Sequence, residues 1–379
     1  MSQPPAWGPD ADGDDKAPSL VFQAAWTWSD FTAPLAGDPV LCAGAIVAAS
    51  RAGEIVALNP NRGEVIWRTR LADPVAGLAS DGTAVLVAET AGRLRALRGQ
   101  DGSDLWTADL PAAPAVAPRA IGGRVLIGTE DGTLLSIETD SGRIAATCLL
   151  PGRPSTPAEP APGAVLIGTD HGALLALRES DLEILFRHDS NGAVSSPPLF
   201  EDSRVWFASS DRTVHCLKFK SGKEKWRGRT GATCTATPLV SGPYLYVMSF
   251  DNDIYVFNKR NGHQMTRVRL GHRLDADAAV AQNHLLVVPF TEASIVGLAL
   301  PYLQKVGHFD LQAPGEWFTT SPLLAADRVA LGYGRTEGRI LALSFTEQAA
   351  PPAGDGKPAP DEKPAESTGA EAGTTSPRR

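Results

Sequence analysis

Short apolar runs recur along the chain at an almost constant interval. Each run is six residues long, and it starts 40 residues after the previous one except for a last step of 44. A strand that is covered on both faces has such a continuous apolar pattern. The runs are residues 45–50, 85–90, 125–130, 165–170, 205–210, 245–250, 285–290 and 329–334. The pattern therefore predicts eight copies of one structural unit.

The unit at residues 205–230 shows how each copy is built. It contains an apolar run, a mixed run and a third run that alternates charge with Trp226. We expect strands laid side by side, with burial falling from the first run to the last. A short proline-containing segment precedes each apolar run, as at 196–199, and predicts an innermost strand. Turn residues such as Asp131-Gly132 separate the runs. Four short strands, named A to D from the inside, in a repeat of about 40–45 residues predict a propeller blade.

The eighth unit ends without a tryptophan-bearing outer run, and the start of the chain supplies one. Residues 21–29 contain Trp26 and Trp28, either of which matches Trp67 of the first unit. We therefore predict an all-β fold: a single eight-bladed β-propeller of four-stranded antiparallel blades over residues 19–348, with the last blade closed by the N-terminal strand. An acidic N-terminal tail (1–18) and a Pro/Ala/Glu-rich C-terminal tail (349–379) have too few large apolar residues to form a core, so we expect both to be disordered.

Composition excludes several classes of partner. The net charge is −8 and no basic stripe is visible, so nucleic-acid binding is not expected. No apolar run approaches the roughly 18 residues of a membrane span. The N-terminus lacks the basic and apolar segments of a secretory signal, which predicts a cytoplasmic protein for the chain as given, or a periplasmic one if an export signal was removed. We expect a monomer.

The sequence offers little chemistry of its own. Four cysteines lie in separate repeats with no adjacent pair, which favours buried apolar roles over disulfide or metal roles. His272, Asp275 and Asp277 are close in sequence, but a solvated loop is favoured over a metal site there. No metal-ligand spacing is seen in the other histidines, which are His171, His188, His215, His263, His284 and His308. Hydrolase and nucleotide-binding motifs are missing as well, so we predict no catalytic residues, metal or cofactor.

A repeated motif gives the chain a family resemblance. Residues 53–58 (Gly-Glu-Ile-Val-Ala-Leu), followed by Gly63 and Trp67, recur as residues 92–97 with Gly102 and Trp106. This motif resembles the pyrroloquinoline-quinone (PQQ)-like repeat, and the eight-unit arrangement is similar to the BamB-type family of outer-membrane assembly factors. The resemblance implies partner contacts on loops that enter strand A. Residues 273–277 (Arg-Leu-Asp-Ala-Asp) are similar to such a loop, which makes Arg273, Asp275 and Asp277 candidate contacts.

The predicted function is a non-catalytic scaffold that binds a protein through loops of one propeller face. This funnel face is formed by the D–A connections and the B–C hairpins. An acidic rim is one candidate for the contact; its residues are Glu130, Asp131, Asp170, Asp211, Asp251, Asp253, Asp275, Asp277 and Glu292. Trp317 and Phe318 are another, either as interface anchors or as packing over the closure point. The alternative function is a small-ligand or quinone-binding propeller, similar to PQQ-dependent dehydrogenases, that uses the central channel.

Overall fold

The computed structural model describes residues 19–289, 293–325 and 327–348, which form eight four-stranded antiparallel sheets. The strands up to blade 4 are β1 (Ser19–Trp28), β2 (Val40–Cys42), β3 (Ala45–Ala49), β4 (Glu54–Leu58), β5 (Val65–Arg70), β6 (Val75–Ser80), β7 (Ala84–Glu89), β8 (Arg93–Arg98), β9 (Asp104–Asp109), β10 (Arg119–Ile121), β11 (Arg124–Gly128), β12 (Thr133–Glu138), β13 (Ile144–Leu149), β14 (Glu159–Ala161), β15 (Ala164–Gly168), β16 (Ala173–Arg178) and β17 (Ile184–Asp189).

The remaining strands complete the ring. They are β18 (Leu199–Glu201), β19 (Arg204–Ser209), β20 (Thr213–Lys218), β21 (Lys223–Arg229), β22 (Leu239–Ser241), β23 (Tyr244–Met248), β24 (Asp253–Asn258), β25 (Gln264–Arg269), β26 (Ala279–Ala281), β27 (His284–Val287), β28 (Ser294–Ala299), β29 (Gln304–Asp310), β30 (Leu323–Ala325), β31 (Arg328–Tyr333) and β32 (Arg339–Gln348). Each set of four consecutive strands from β2 to β29 is one blade, in the order A to D. The predicted eight-bladed propeller is confirmed.

The last blade is closed by the first strand, as predicted. Its order is β1-β32-β31-β30, and the β1–β32 ladder runs from Ser19↔Gln348 to Trp28↔Ile340. The indole nitrogen of Trp26 donates to the Pro60 carbonyl of blade 1 at 2.9 Å. Trp28 instead packs edge-on against Phe31, with ring centroids 4.6 Å apart. Trp26 is therefore the residue that corresponds to Trp67, and it joins the two ends of the ring.

Burial along the blade differs from the sequence prediction in one respect. In blade 1, strands B and C are equally buried, and all five residues of both β3 and β4 are inside. The predicted fall in burial begins only at strand D, where β5 is largely exposed. Both middle strands are covered by neighbouring blades, which buries even polar members of a C strand such as His215 in β20. In blade 2, strand C is less buried than strand B, because the arginines of β8 are partly or fully exposed. The predicted fall in burial from the first run to the second therefore holds in blade 2 but not in blade 1.

Blades 1 and 2 are joined by a tryptophan that lies on a glycine. The Trp67 indole nitrogen in β5 donates to the Gly99 carbonyl of blade 2 at 2.8 Å. Its ring covers Gly102, which has a φ of +71°, and a Cβ there would lie 2.6 Å from the ring. Glycine meets both demands, since it accepts a positive φ and has no side chain. The glycine and tryptophan of the repeat motif therefore pair across the blade boundary.

Hydroxyl groups join the D–A loops around the central channel. Ser195 Oγ donates to the Cys234 carbonyl of the next blade at 2.7 Å. Ser155 Oγ makes the equivalent bond to the Val194 carbonyl, also at 2.7 Å. These bonds between neighbouring loops hold the funnel face as one surface, since each loop is fixed to the next.

Several sequence predictions concern residues that lie outside the described ranges. These are the two tails, residues 1–18 and 349–379, and Glu292 of the acidic rim. Within the described ranges, no helix has the length and apolar character needed to cross a bilayer.

Candidate protein-binding face

Asp277 lies at the mouth of the channel, and its carboxylate is hydrogen-bonded to another residue of the protein. It accepts hydrogen bonds from the backbone nitrogen and the hydroxyl of Thr237, at 2.6 and 2.9 Å. Its own backbone nitrogen donates to Ser321 Oγ at 3.1 Å. Asp277 thus connects blades 6, 7 and 8. Its geometry is that of a residue that positions the loop.

Asp275 and Arg273 lie on the same D–A loop as Asp277, but their side chains are at least partly accessible to solvent. Arg273 is exposed, whereas Asp275 is half-buried and lines a cavity of about 300 Å³ together with Trp317. Burial raises the pKa of Asp275 above its usual value, while backbone hydrogen bonds partly oppose the shift. The carboxylate is therefore incompletely solvated, and a partner that supplies a donor would stabilise its charge. In the described part of the chain, His272, Asp275 and Asp277 do not form a cluster of potential metal ligands.

Trp317 is a partly accessible aromatic residue of this face. It is half-buried, and the Arg335 guanidinium lies over its ring at 4.5 Å from the centroid. The next residue back, Glu316, accepts from the Arg335 backbone nitrogen at 3.0 Å and fixes the loop that carries the cation. Cavities of about 550, 300 and 360 Å³ adjoin the Trp317 ring. The ring is held in place yet surrounded by space.

Phe318 occupies a different environment from its neighbour. Only 3% of its surface is exposed, and its ring meets Tyr333 edge-on with centroids 6.4 Å apart. It forms part of the hydrophobic core between blades 7 and 8. Of the two alternatives left open by the sequence, the structure gives Phe318 the packing position, because a buried ring offers no surface to a partner.

Several carboxylates of the acidic rim already have partners within the protein. Glu130 pairs with Arg153 at 2.9 Å. Asp253 is buried and pairs with Arg269 at 2.9 Å. Asp131 accepts a hydrogen bond from the Thr129 hydroxyl, which holds the pKa of the carboxyl below its usual value. Carboxylates that already have partners add little to the attraction of a basic surface. The rim therefore carries less available charge than its composition suggests.

A second group of acidic residues lies in the central channel, which the sequence analysis did not single out. The channel has a volume of about 700 Å³, and its charged lining consists of Asp38, Arg119, Glu159 and Asp277. Arg119 pairs with Glu159 at 2.9 Å. Burial raises the pKa of Glu159 to about 7, with Arg119 opposing and Asp277 adding to the shift. Burial also raises the pKa of Asp38. The channel therefore becomes more negative as the pH rises through about 7.

A signal for the channel carboxylates was present in the sequence. Asp38 and Asp277 both precede a strand A, at the same position of the repeat. Aligning the eight units on strand A, in place of the more obvious apolar run, would have placed both at the axis.

The channel does not fit a quinone cofactor. Besides the charged residues, its described lining consists of alanine, glycine, proline, leucine, valine and serine, and it has no aromatic ring on which a quinone plane could stack. The four cysteines are free thiols in separate blades, and burial raises the pKa of Cys216 and Cys234 to about 11. Thiols of this kind are unreactive.

Comparison with known proteins identifies the repeat. The sequence profile of the family described as "Outer membrane protein assembly factor BamB" matches residues 51–157, 151–249 and 208–300. These segments together cover more than half of the chain. No curated protein matches the chain by sequence.

Solved structures share the fold at low sequence identity. BamB from Moraxella catarrhalis has a TM-score of 0.70 at 16% identity, covering 86% of this chain and 98% of that one. Quinohemoprotein alcohol dehydrogenase from Comamonas testosteroni has a TM-score of 0.70 at 11% identity, covering 85% of this chain and 76% of that one. The computationally designed protein Ika8 has a TM-score of 0.72 at 13% identity, covering 84% and 99%. At such identities the likeness concerns the fold alone, which serves enzymes and other proteins alike.

Proposed function

The chain belongs to the family of the outer membrane protein assembly factor BamB, and from this premise we propose that it is a non-catalytic scaffold that binds a protein partner through its funnel face. The non-catalytic part of the proposal is supported by the poor fit of the channel to a quinone. The contact surface consists of Trp317 with Arg273 and Asp275 beside it. Asp277 acts on the surface indirectly, since it holds the loop through Thr237.

The observation that carries this proposal is the state of Trp317. A half-buried indole is held by a stacked guanidinium and flanked by cavities on a face of loops. Tryptophan and arginine are enriched among the residues that dominate binding energy at interfaces. A ring that is already fixed loses little conformational freedom when a partner covers it. The cavities around the ring give an apolar partner side chain room to enter.

The test is partner capture by the full chain and two variants. The partner is captured from an extract that contains outer-membrane assembly proteins. Size-exclusion chromatography checks the expectation that the chain is a monomer. Trp317→Ala is expected to reduce capture at least tenfold, because loss of an anchor costs about 2 kcal/mol or more. Leu149→Ala is the matched control, since Leu149 ends the outer strand of blade 3 and is 74% exposed. Equal capture by all three proteins would contradict the proposal.

Smaller effects are expected from the loop of blade 7. Arg273→Ala and Asp275→Asn should each weaken capture several-fold, since partly exposed charges contribute about 1 kcal/mol or less. Fractionation of cells that express the chain, probed with an antibody against it, tests the cytoplasmic location expected for the sequence as given.

A small ligand in the channel is the second candidate function. It is supported by a volume of about 700 Å³ lined by three carboxylates and one guanidinium, which suits a compact cationic ligand. A thermal-shift screen separates the two functions. A melting temperature that rises and saturates with a small cation, more strongly at pH 8 than at pH 6, favours the channel; the quinone with calcium is expected to produce no shift.

A further inference from the structure

Three potential metal ligands from two blades meet at the outer edge of the propeller. His188 lies on β17 of blade 4, and His215 and Glu224 lie on β20 and β21 of blade 5. One ligand atom from each residue lies within 4.8 Å of the other two. In the described part of the chain this is the only such group of three or more. We propose that His188, His215 and Glu224 bind a divalent transition-metal ion with the ligand preference of Zn²⁺.

The donor atoms match that class of ion. Two imidazoles and one carboxylate are a common set for zinc, whereas calcium and magnesium prefer oxygen donors alone. Ligand atoms 2.0–2.2 Å from a tetrahedral zinc ion are about 3.3–3.6 Å apart. Glu224 Oε1 already lies 2.8 Å from His215 Nδ1. The three ligand atoms lie within 4.8 Å of one another, so binding of an ion requires them to move closer together by side-chain rotation.

The His215 ring supplies an independent observation. It is 4% exposed, and its Nε2 atom is buried without a hydrogen-bond partner in the described structure. A buried polar atom without a partner is costly, and most such atoms have one. The hydrogen bond from the other ring nitrogen to Glu224 does not relieve this cost. Within the described residues, His215 therefore has a buried ring nitrogen that the protein itself does not use.

The surroundings hold the ligands in place and leave one side open. The Phe207 ring stacks on His215 at 4.7 Å between centroids, with the planes 9° apart. His188 meets both rings edge-on, at 6.0 Å from Phe207 and 5.5 Å from His215. Packed aromatic walls limit the rotamers of the two imidazoles. Glu224 remains 30% exposed, which gives an ion a route from solvent.

Sequence spacing could not reveal this group. The two histidines are 27 residues apart on different blades, and no short motif connects them. They come together because strand D of one blade faces strand C of the next. The group lies on the outer edge, away from Trp317 and the funnel-face contact, so its test is independent of the proposed function.

The test uses Co²⁺ and Zn²⁺ with the full chain after chelator treatment. Titration with Co²⁺, followed by visible absorption, should show one site per chain, and Zn²⁺ should displace the Co²⁺. His188→Ala and Glu224→Gln should each weaken binding at least about tenfold, since loss of even an outer-shell partner of a ligand costs about 10–100-fold. His263→Ala is the control, because His263 is an exposed histidine in a turn of blade 6. Its binding should equal that of the unmodified chain.

Thermal melting keeps the test valid if a variant is less stable. A bound ion stabilises only the folded state, so Zn²⁺ should raise the melting temperature of the unmodified chain and of His263→Ala. His188→Ala should show no rise at the same concentration. The proposal is overturned if the unmodified chain binds no ion at one per chain. It is overturned equally if His188→Ala and Glu224→Gln bind as tightly as the control.

Discussion

Between blades 1 and 2 the outer strand supplies the large residue, Trp67, and the next turn supplies Gly102, whereas between blades 3 and 4 the outer strand has Ala146 and the turn has Leu182. Leu182 has a φ of +61°, in the same left-handed region as Gly102 at +71°. It is 2% exposed and packs in one cluster with Ala146. The backbone of the turn is the same, but the bulk has moved from the strand to the turn.

The boundary between blades 6 and 7 repeats the second arrangement. Thr266 stands at the tryptophan position, and Leu303 in the next turn has a φ of +60° and is 2% exposed. Leucine in the left-handed region is unfavourable by about 1–2 kcal/mol, so the packing it provides must outweigh that cost. What the two arrangements share is the volume filled at each boundary. The residue type at either single position is not conserved between boundaries of this chain.

The largest effect is expected from removal of the ring in the first arrangement. Trp67→Ala should lower the free energy of unfolding by about 3–5 kcal/mol, because it leaves a cavity on Gly102 and the Gly99 carbonyl without the indole donor. Unfolding in denaturant, monitored by far-UV circular dichroism, measures the loss of stability without relying on tryptophan fluorescence. An effect below about 1 kcal/mol would show that the ring is not what joins the blades.

The second-largest effect is expected from a variant that adds side-chain volume at the same boundary without removing the Trp67 ring. Gly102→Leu should cost about 2–4 kcal/mol, since the new side chain enters the space of the Trp67 ring and leucine is strained at a φ of +71°. The same unfolding measurement applies. Gly82→Leu is a matched control, because Gly82 has a φ of +95° with open space around it. It should cost only the backbone strain.

The repeat predicts the fold but not the residue pairs that fill the boundaries between blades, and the reason is physical. Apolar runs every 40 residues specify a buried strand, and turn residues specify the hairpins, so eight blades follow from local patterns. Ala146 and Thr266 read as imperfect copies because their compensating residues, Leu182 and Leu303, lie in the next unit. A consensus taken within one unit cannot see a pair that spans two.

For the candidate site, too, the sequence indicated which loops are involved but not which side chains are buried. The loop with Arg273 and Asp275 was placed on the funnel face from its position between two units. Phe318 could not be separated from Trp317, because adjacent residues of an irregular loop have no fixed period that assigns one inward. The metal ligands His188 and His215 again belong to two units. Local patterns reveal strands and turns, whereas contacts between blades require the register of the ring.

The third effect tests whether volume is what the boundary conserves. The double variant Trp67→Ala/Gly102→Leu recreates the arrangement of Ala146 and Leu182. It should be more stable than either single variant, with a coupling energy of at least about 1 kcal/mol between the two changes. A double-mutant cycle from the same unfolding curves gives this value. Additive losses would mean that the two arrangements depend on neighbours beyond the pair.

The smallest effect concerns the boundary where the ring closes. Trp26→Phe removes the indole donor to the Pro60 carbonyl but keeps an aromatic ring over Gly63, so it should cost about 1 kcal/mol. Arg328 Nη1 also reaches that carbonyl, at 3.4 Å, and leaves it a partner after the change. Trp67→Phe is the matched variant inside the ring and should cost more, because Trp67 is only 8% exposed whereas Trp26 is half-buried. If Trp26→Phe costs more, or separates unfolding into two transitions, the closing boundary is the weak point of the ring. A physical reason for such a result is that β1 pairs with β32 but is not joined to it by a hairpin.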